Sequence, residues 1–159
     1  MKQHIDRINQ LLTDEFGDKP KICALATVDV TGRATVRTMV ARELSVTGGL
    51  LFVSDRRTHK DDHLRERPLC EVCFWLPKQN IQVRLQGEAV IVDAMDDESM
   101  RQQWWSKMDA RGVRIFTGIE GDPDDVRMPT TFELITITPT WIEIGDYKQV
   151  PPDMSTWSE

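Results

Sequence analysis

No apolar run in this sequence approaches the roughly 20 residues a helix needs to span a bilayer, so no membrane partner is expected. The first ten residues, MKQHIDRINQ, lack the apolar centre of a signal peptide, so export is not expected either. Cysteine is scarce. Three residues are an odd number without a framework spacing, which suits a reducing cytosol and a cytoplasmic location. Positive charge is also in deficit: 20 Lys+Arg stand against 26 Asp+Glu, a formal net charge of -6. A general nucleic-acid binder carries a basic excess, so no nucleic-acid partner is expected. No GxSxG, P-loop or GxGxxG motif occurs, which removes the usual signatures of serine hydrolases, NTPases and Rossmann dinucleotide binders. With no internal repeat or low-complexity linker, and 40% hydrophobic content, the chain reads as one compact domain, residues 1–159.

What is present changes period along the chain. Ile5, Ile8, Leu11, Leu12 and Phe16 recur at helical spacing, so 3–16 reads as an amphipathic helix in an N-terminal segment 1–20, stopped by Gly17 and Pro20. KICALATVDV and ATVRTMVAREL then read as strands around a Thr31-Gly32 turn, and LLFVS as a third after a Thr47-Gly48-Gly49 turn. Thr58 is a suitable N-cap for a short helix over 59–66, which Pro68 ends. LCEVCFWL and IQVRLQGEAVIVD flank the turn PKQN, and Gly87 within the long strand predicts a bulge or tight bend. DDESMRQQWWSKM reads as a helix with acids at its start, where the helix dipole favours them. Residues 117–130 read as a long loop, FELITIT and WIEIG as late strands parted by Pro139, and 150–159 as a loosely held tail. The expected fold is mainly β with flanking helices: six or seven antiparallel strands closing into a barrel.

Three constellations bear on chemistry. Cys70 and Cys73 have CxxC spacing, but residues three apart in a strand point to opposite faces, and no second cysteine pair completes a metal site. His59 and His63 share a helix face at zinc-ligand spacing, with Asp62 a third ligand only in principle, yet HKDDH lacks the HExxH glutamate. No metal is therefore expected. The third is RRTHKDDHLRERP, Arg56 to Pro68, a basic cluster in an acidic chain. A helix N-terminus near Thr58, with Ser54 and Lys60 beside it and Arg37 and Arg42 on a neighbouring strand, offers what a phosphate needs, although such a run is also what a solvated helix face looks like.

The order of these motifs resembles the pyridoxamine 5'-phosphate oxidase-like family of FMN-binding split barrels. ATVDVTGRATVRTMVAR is similar to that family's strand-turn-strand opening, LFVSDRRTHK to its phosphate segment, and QVRLQG to its QVRxxG element. The resemblance runs from about Ala24 to Asp93 and more loosely to Thr138. It implies an antiparallel split β-barrel, FMN as cofactor, and flavin contacts at Arg37, Thr38, Met39, Val40, Ala41, Arg42, Val53, Ser54, Thr58, His59, Lys60 and Gln82. Lys60 with Arg37 or Arg42 would hold the phosphate. His59 stands where the family usually has Arg, Arg42 where it has Lys, and Val53 where it has Tyr. An RLHDR-like substrate element does not occur in WIEIGDYKQVPPDMSTWSE. The resemblance further implies a homodimer with flavin at the subunit interface, hydride transfer with a small-molecule substrate, and no particular acid or base. Trp104 and Trp105 would cover the flavin or the seam, or pack their helix on the barrel. The alternatives are a flavin-binding or stress-related protein without turnover, and a split barrel holding haem or a deazaflavin.

Overall fold

The computed structural model describes residues 1–47 and 49–159; Gly48 of the expected Thr47-Gly48-Gly49 turn lies outside the described residues. Element order is α1 (Lys2–Phe16), β1 (Lys21–Val28), β2 (Ala34–Ala41), β3 (Glu43–Ser45), β4 (Gly49–Asp55), α2 (His59–Glu66), β5 (Leu69–Leu76), β6 (Ile81–Val92), α3 (Glu98–Trp105), α4 (Ala110–Thr117), β7 (Phe132–Asp146) and β8 (Asp153–Ser158). The strands form one antiparallel sheet in the order β2-β1-β5-β6-β7-β4-β3, with β8 on β7. This is the expected mainly β split barrel, curled but open. No helix among the described residues is long and apolar enough to cross a membrane.

The strand inventory differs from the sequence expectation in three ways. FELITIT and WIEIG are one strand, β7, because Pro139 falls at a bulge: Gln86 pairs with Trp141 and Gly87 with Pro139, leaving Thr140 as the extra residue. Gly87 is required there, since a Cβ would collide with the Thr138 carbonyl oxygen. The tail instead forms β8, paired along Trp141–Asp146. The short β3 also appears, giving eight strands. Helix α4, which precedes the expected 117–130 loop, has its own signals: Asp109 accepts from Gly112 N at 2.7 Å, and Gly118 ends it in the left-handed region at φ 73°.

The barrel interior is made by alternation. Leu25, Leu50, Phe52, Val72, Phe74, Val83, Leu85, Ile135, Ile137, Ile142 and Ile144 point inward, and Ile5, Ile8 and Leu12 of α1 join them. A second cluster, Trp105, Met108, Val113, Phe116, Phe132 and Leu134, fixes α3 and α4 to the outer side of β4 and β7. Trp105 is thus a packing residue, 5.2 Å from the Phe132 ring. Trp104 is half-buried, with Lys107 Nζ 4.1 Å from its ring centre. Cys70 lies on the inward face and Cys73 on the other, as alternation requires. Burial pushes the Cys70 thiol, like Cys23, up to about 12. The sheet nearly meets itself where Arg42 N donates to Leu51 O of β4 at 2.9 Å. At its other end β2 turns towards α2, and the candidate site lies there.

Candidate functional site

An aspartate turn sets the position of β2. Asp29 Oδ1 accepts from Thr31 N at 2.8 Å and Arg33 N at 2.9 Å, and Gly32 takes φ 88°. In β2, Thr35, Arg37 and Met39 share a face, and their partners in β1 are Thr27, Leu25 and Cys23. Arg37 Nη1 donates to Leu25 O at 2.9 Å and Nη2 to Thr35 Oγ1 at 2.6 Å, so its guanidinium is held on this face. Burial lowers its pKa somewhat.

Helix α2 closes the other wall. Thr58 precedes its first residue with extended backbone, φ -99° and ψ 143°, as an N-cap should, but its hydroxyl does not cap an amide. Thr58 Oγ1 instead lies 2.7 Å from Asp55 O and 2.5 Å from Asp61 Oδ2, and accepts from Lys60 Nζ at 2.6 Å. One turn on, His63 Nδ1 lies 3.1 Å from Thr27 Oγ1 and 3.3 Å from Thr35 Oγ1, which ties the helix to β1 and β2. Between these walls is an open cleft of about 530 Å³ lined by Asp29, Arg33, Thr35, Arg37, Thr58, His59, Lys60 and His63.

Of the site residues expected from sequence, the structure brings Arg37, Thr58, His59 and Lys60 to this cleft. Ser54 sits just behind it, buried, donating to Asp61 Oδ2 at 2.6 Å. The others lie elsewhere. Thr38 and Val40 alternate to the outer face of β2, and Gln82 lies on that same face beside its ladder partner Trp75. Met39 packs against the barrel core and Val53 against the α3–α4 cluster. Ala41 is buried, and Arg42 lines a separate pocket with Asn9, Lys21 and Leu50. Of the two arginines considered for the phosphate, only Arg37 therefore shares a cleft with Lys60. Burial lowers the pKa of Arg42 too, with Asp109 opposing.

The basic run around the cleft is less free than its composition suggests. Arg57 pairs with Asp55 at 2.6 Å and its hydrogen bond holds that carboxyl below its usual range. Arg65 is exposed on α2, yet its guanidinium reaches the buried Glu133 at 2.7 Å. Arg67 donates to Val30 O at 3.0 Å. Sequence reasoning missed Thr35, His63 as a cleft residue, Asp61 and Glu133. Two signals were available: Thr35 shares the alternation of Arg37, and His63 lies one turn after His59.

The cleft fits a phosphate monoester. Two fixed cations, two imidazoles and the N-terminal turn of a helix converge on it. The first 93 residues match the family model "Pyridoxamine 5'-phosphate oxidase, FMN-binding domain". The chain belongs to the pyridoxamine 5'-phosphate oxidase FMN-binding family. Among members of this family, it is 28% identical to a pyridoxine/pyridoxamine 5'-phosphate oxidase of Azotobacter vinelandii over 116 residues, 68% of this chain and 54% of the relative. It is 35% identical to a dihydrophenazinedicarboxylate synthase of Pseudomonas chlororaphis over 82 residues, 51% of this chain and 36% of that one. These matches span between about a third and about half of the relatives' lengths. The fold matches that of a pyridoxamine 5'-phosphate oxidase-related FMN-binding protein from Nostoc punctiforme, with TM-score 0.73 and 21% identity over 99% of this chain and 94% of that one. It also matches PhzG from Burkholderia lata, with TM-score 0.81 and 14% identity over 99% and 85%.

Proposed function

We propose that this chain binds FMN with its phosphate in the cleft between β2 and α2, and acts as an oxidoreductase on a small molecule. The observation that carries this reading is the convergence of Arg37, Lys60 and the first turn of α2 on one cleft, inside the segment that matches the FMN-binding family model. Arg37 and Lys60 supply charge. Thr58 supplies a hydroxyl, His59 and His63 add imidazoles, and Ser54 braces the site from behind. Thr38, Val40 and Gln82, on the outer sheet face, are the residues that would meet the rest of the flavin. At Met39 and Val53 a ligand would meet backbone, because their side chains face the cores. Bound FMN would supply hydride transfer. The protein's share is to hold the phosphate, fix the orientation of the flavin, and exclude water from one of its faces. No side chain is assigned as acid or base. The outer face carries exposed Ile22, Val36 and Trp75, which supports a homodimer with the flavin at its seam.

The test is an absorption spectrum of the purified protein followed by FMN titration. Flavin bands that survive gel filtration, or that return on adding FMN, are expected. Lys60→Ala and Arg37→Ala should each weaken FMN about ten- to a hundredfold, the worth of one charge-assisted bond. Riboflavin, lacking phosphate, should bind the variants and the parent alike. A colourless protein that does not take up FMN overturns the reading. Reduction by NAD(P)H and reoxidation by an acceptor then separates an enzyme from a flavin-binding protein without turnover.

A further inference from the structure

Two carboxyl groups meet in the core directly behind the cleft. Asp61, in the first turn of α2, and Glu133, the second residue of β7, are both 0% exposed. Ser54 and Glu133 lie opposite each other in the β4–β7 ladder, and Ser54 Oγ donates to Asp61 Oδ2 at 2.6 Å. Glu133 Oε1 receives Arg65 Nη2 at 2.7 Å, with Arg56 Nη1 at 3.6 Å. One oxygen of each acid is thereby satisfied. The other two, Asp61 Oδ1 and Glu133 Oε2, are buried without a donor among the described residues. Ionised carboxylates only accept hydrogen bonds, so a proton on one of the two acids would supply a donor where the described residues offer none. Like charges out of water also disfavour double ionisation. Burial, the largest cause, together with the charge of Asp61, outweighs Arg65 and Arg56 and pushes Glu133 up to about 7.

The pair is wired to the cleft. Asp61 Oδ2 lies 2.5 Å from Thr58 Oγ1 and 3.3 Å from Lys60 Nζ. We propose that Asp61 and Glu133 share a single proton, that Asp61 positions Thr58 and Lys60 for anion binding, and that loss of the shared proton weakens anions in the cleft. This rests on the reading of the cleft as a phosphate site. With one proton the pair carries one negative charge, which orients Lys60. Without it, a second negative charge appears behind Lys60 and opposes an incoming phosphate.

Other charged and ionisable groups surround the pair. Arg65, Arg56 and Asp93 face Glu133, and Lys60 faces Asp61. His59 and His63 line the cleft with Asp29, Arg33 and Arg37. Neutral imidazoles also weaken anion binding as pH rises, whereas the second ionisation of a phosphate monoester, near pH 6, strengthens it. A variant that keeps both histidines and changes only the pair isolates its contribution.

The experiment compares FMN and riboflavin affinities of the full chain with those of Glu133→Gln and Asp61→Asn, from about pH 5.5 to about pH 8.5, a range on either side of the raised Glu133 value. Parent and Glu133→Gln should bind FMN alike at the acid end. At the alkaline end Glu133→Gln should bind FMN about fivefold more tightly than the parent, the scale of one partly screened charge. Riboflavin should show no such divergence. Asp61→Asn should flatten the same part of the FMN profile, and it serves if Glu133→Gln does not fold. Parallel FMN profiles for parent and variants overturn the coupling. NMR of carbon-labelled glutamate in the ligand-free parent decides the proton itself: a Glu133 carboxyl that ionises in the ordinary range overturns it. A parent that binds FMN at no pH removes the phosphate reading and the coupling with it, while the NMR titration still decides the shared proton.

Discussion

Arg57 and Lys60 stand three positions apart in one basic run, and their surroundings give them different work. Arg57 is exposed and folded back on Asp55, an arrangement worth little in water. Lys60 is largely buried at the lip of the cleft and keeps a face towards it. Charge in the sequence identified the run; it did not say which members would be neutralised, because Asp55 is a local partner of Arg57 whereas Asp93 and Glu133 are brought to Arg65 and Arg56 by the fold. Glu133 also gives a stability prediction. Its pKa is raised from 4.5 to about 7, so between those values the folded protein holds a proton that the unfolded chain releases. Stability from this group is complete below the unfolded value and is lost as pH rises through the folded one. Thermal melts of the parent should therefore show a loss of stability approaching 3 kcal/mol in order of magnitude between about pH 5 and pH 8, and Glu133→Gln should be much flatter. The opposite acid-side window belongs to Asp29, Asp55, Glu71 and Asp93, whose pKa values are lowered by their hydrogen bonds and nearby cations. Their stabilisation is lost only as pH falls through those depressed values. A parent that is more stable at pH 8 than at pH 5.5 would contradict the assignment to Glu133.

At the scale of elements, the meeting of β6 and β7 determines how the sheet bends. Gly87 permits the bulge because the Thr138 carbonyl occupies the space a Cβ would need. Gly87→Ala must push that carbonyl away or flatten the bend. It should cost about 1–3 kcal/mol, as overpacking in a well-filled site does, measured as a lower urea midpoint at unchanged slope. An unaltered midpoint would mean that the bulge relaxes freely. This element was legible in advance: a glycine inside a strand pattern has few other uses. The helices and strands with strong periodicity were legible too, since α1 and β5 repeat apolar residues at their own periods. β8 was not, because DMSTWS has weak alternation and its order comes from pairing with β7 rather than from its own residues. Nor was the division of β2 between two sites. Alternation says that Arg37 and Thr38 face apart, but only the curl of the sheet says that one face meets α2 and the other stays open.

For the molecule as a whole, the open outer face is the feature the single chain leaves unexplained. Val36 is 68% exposed on β2, Trp75 47% on β5 and Ile22 43% on β1, all on the side away from the barrel core. Thr38, Val40 and Gln82, expected flavin contacts by family resemblance, occupy that same side. A second copy seated there would cover the apolar residues and bring its own chain towards the flavin, while the phosphate stays with Arg37 and Lys60. Two consequences can be measured together. Sedimentation of the parent should give a dimer, and Trp75→Glu, which places a charge on the face without touching the core, should give a folded monomer. FMN affinity should fall in that variant by about tenfold or more if the seam supplies contacts equal to even one charge-assisted bond, although Arg37 and Lys60 are intact. A variant that is monomeric yet binds FMN as the parent does would place the whole flavin site within one chain. A parent that is monomeric with FMN bound would remove the interface altogether and leave the outer face needing another occupant.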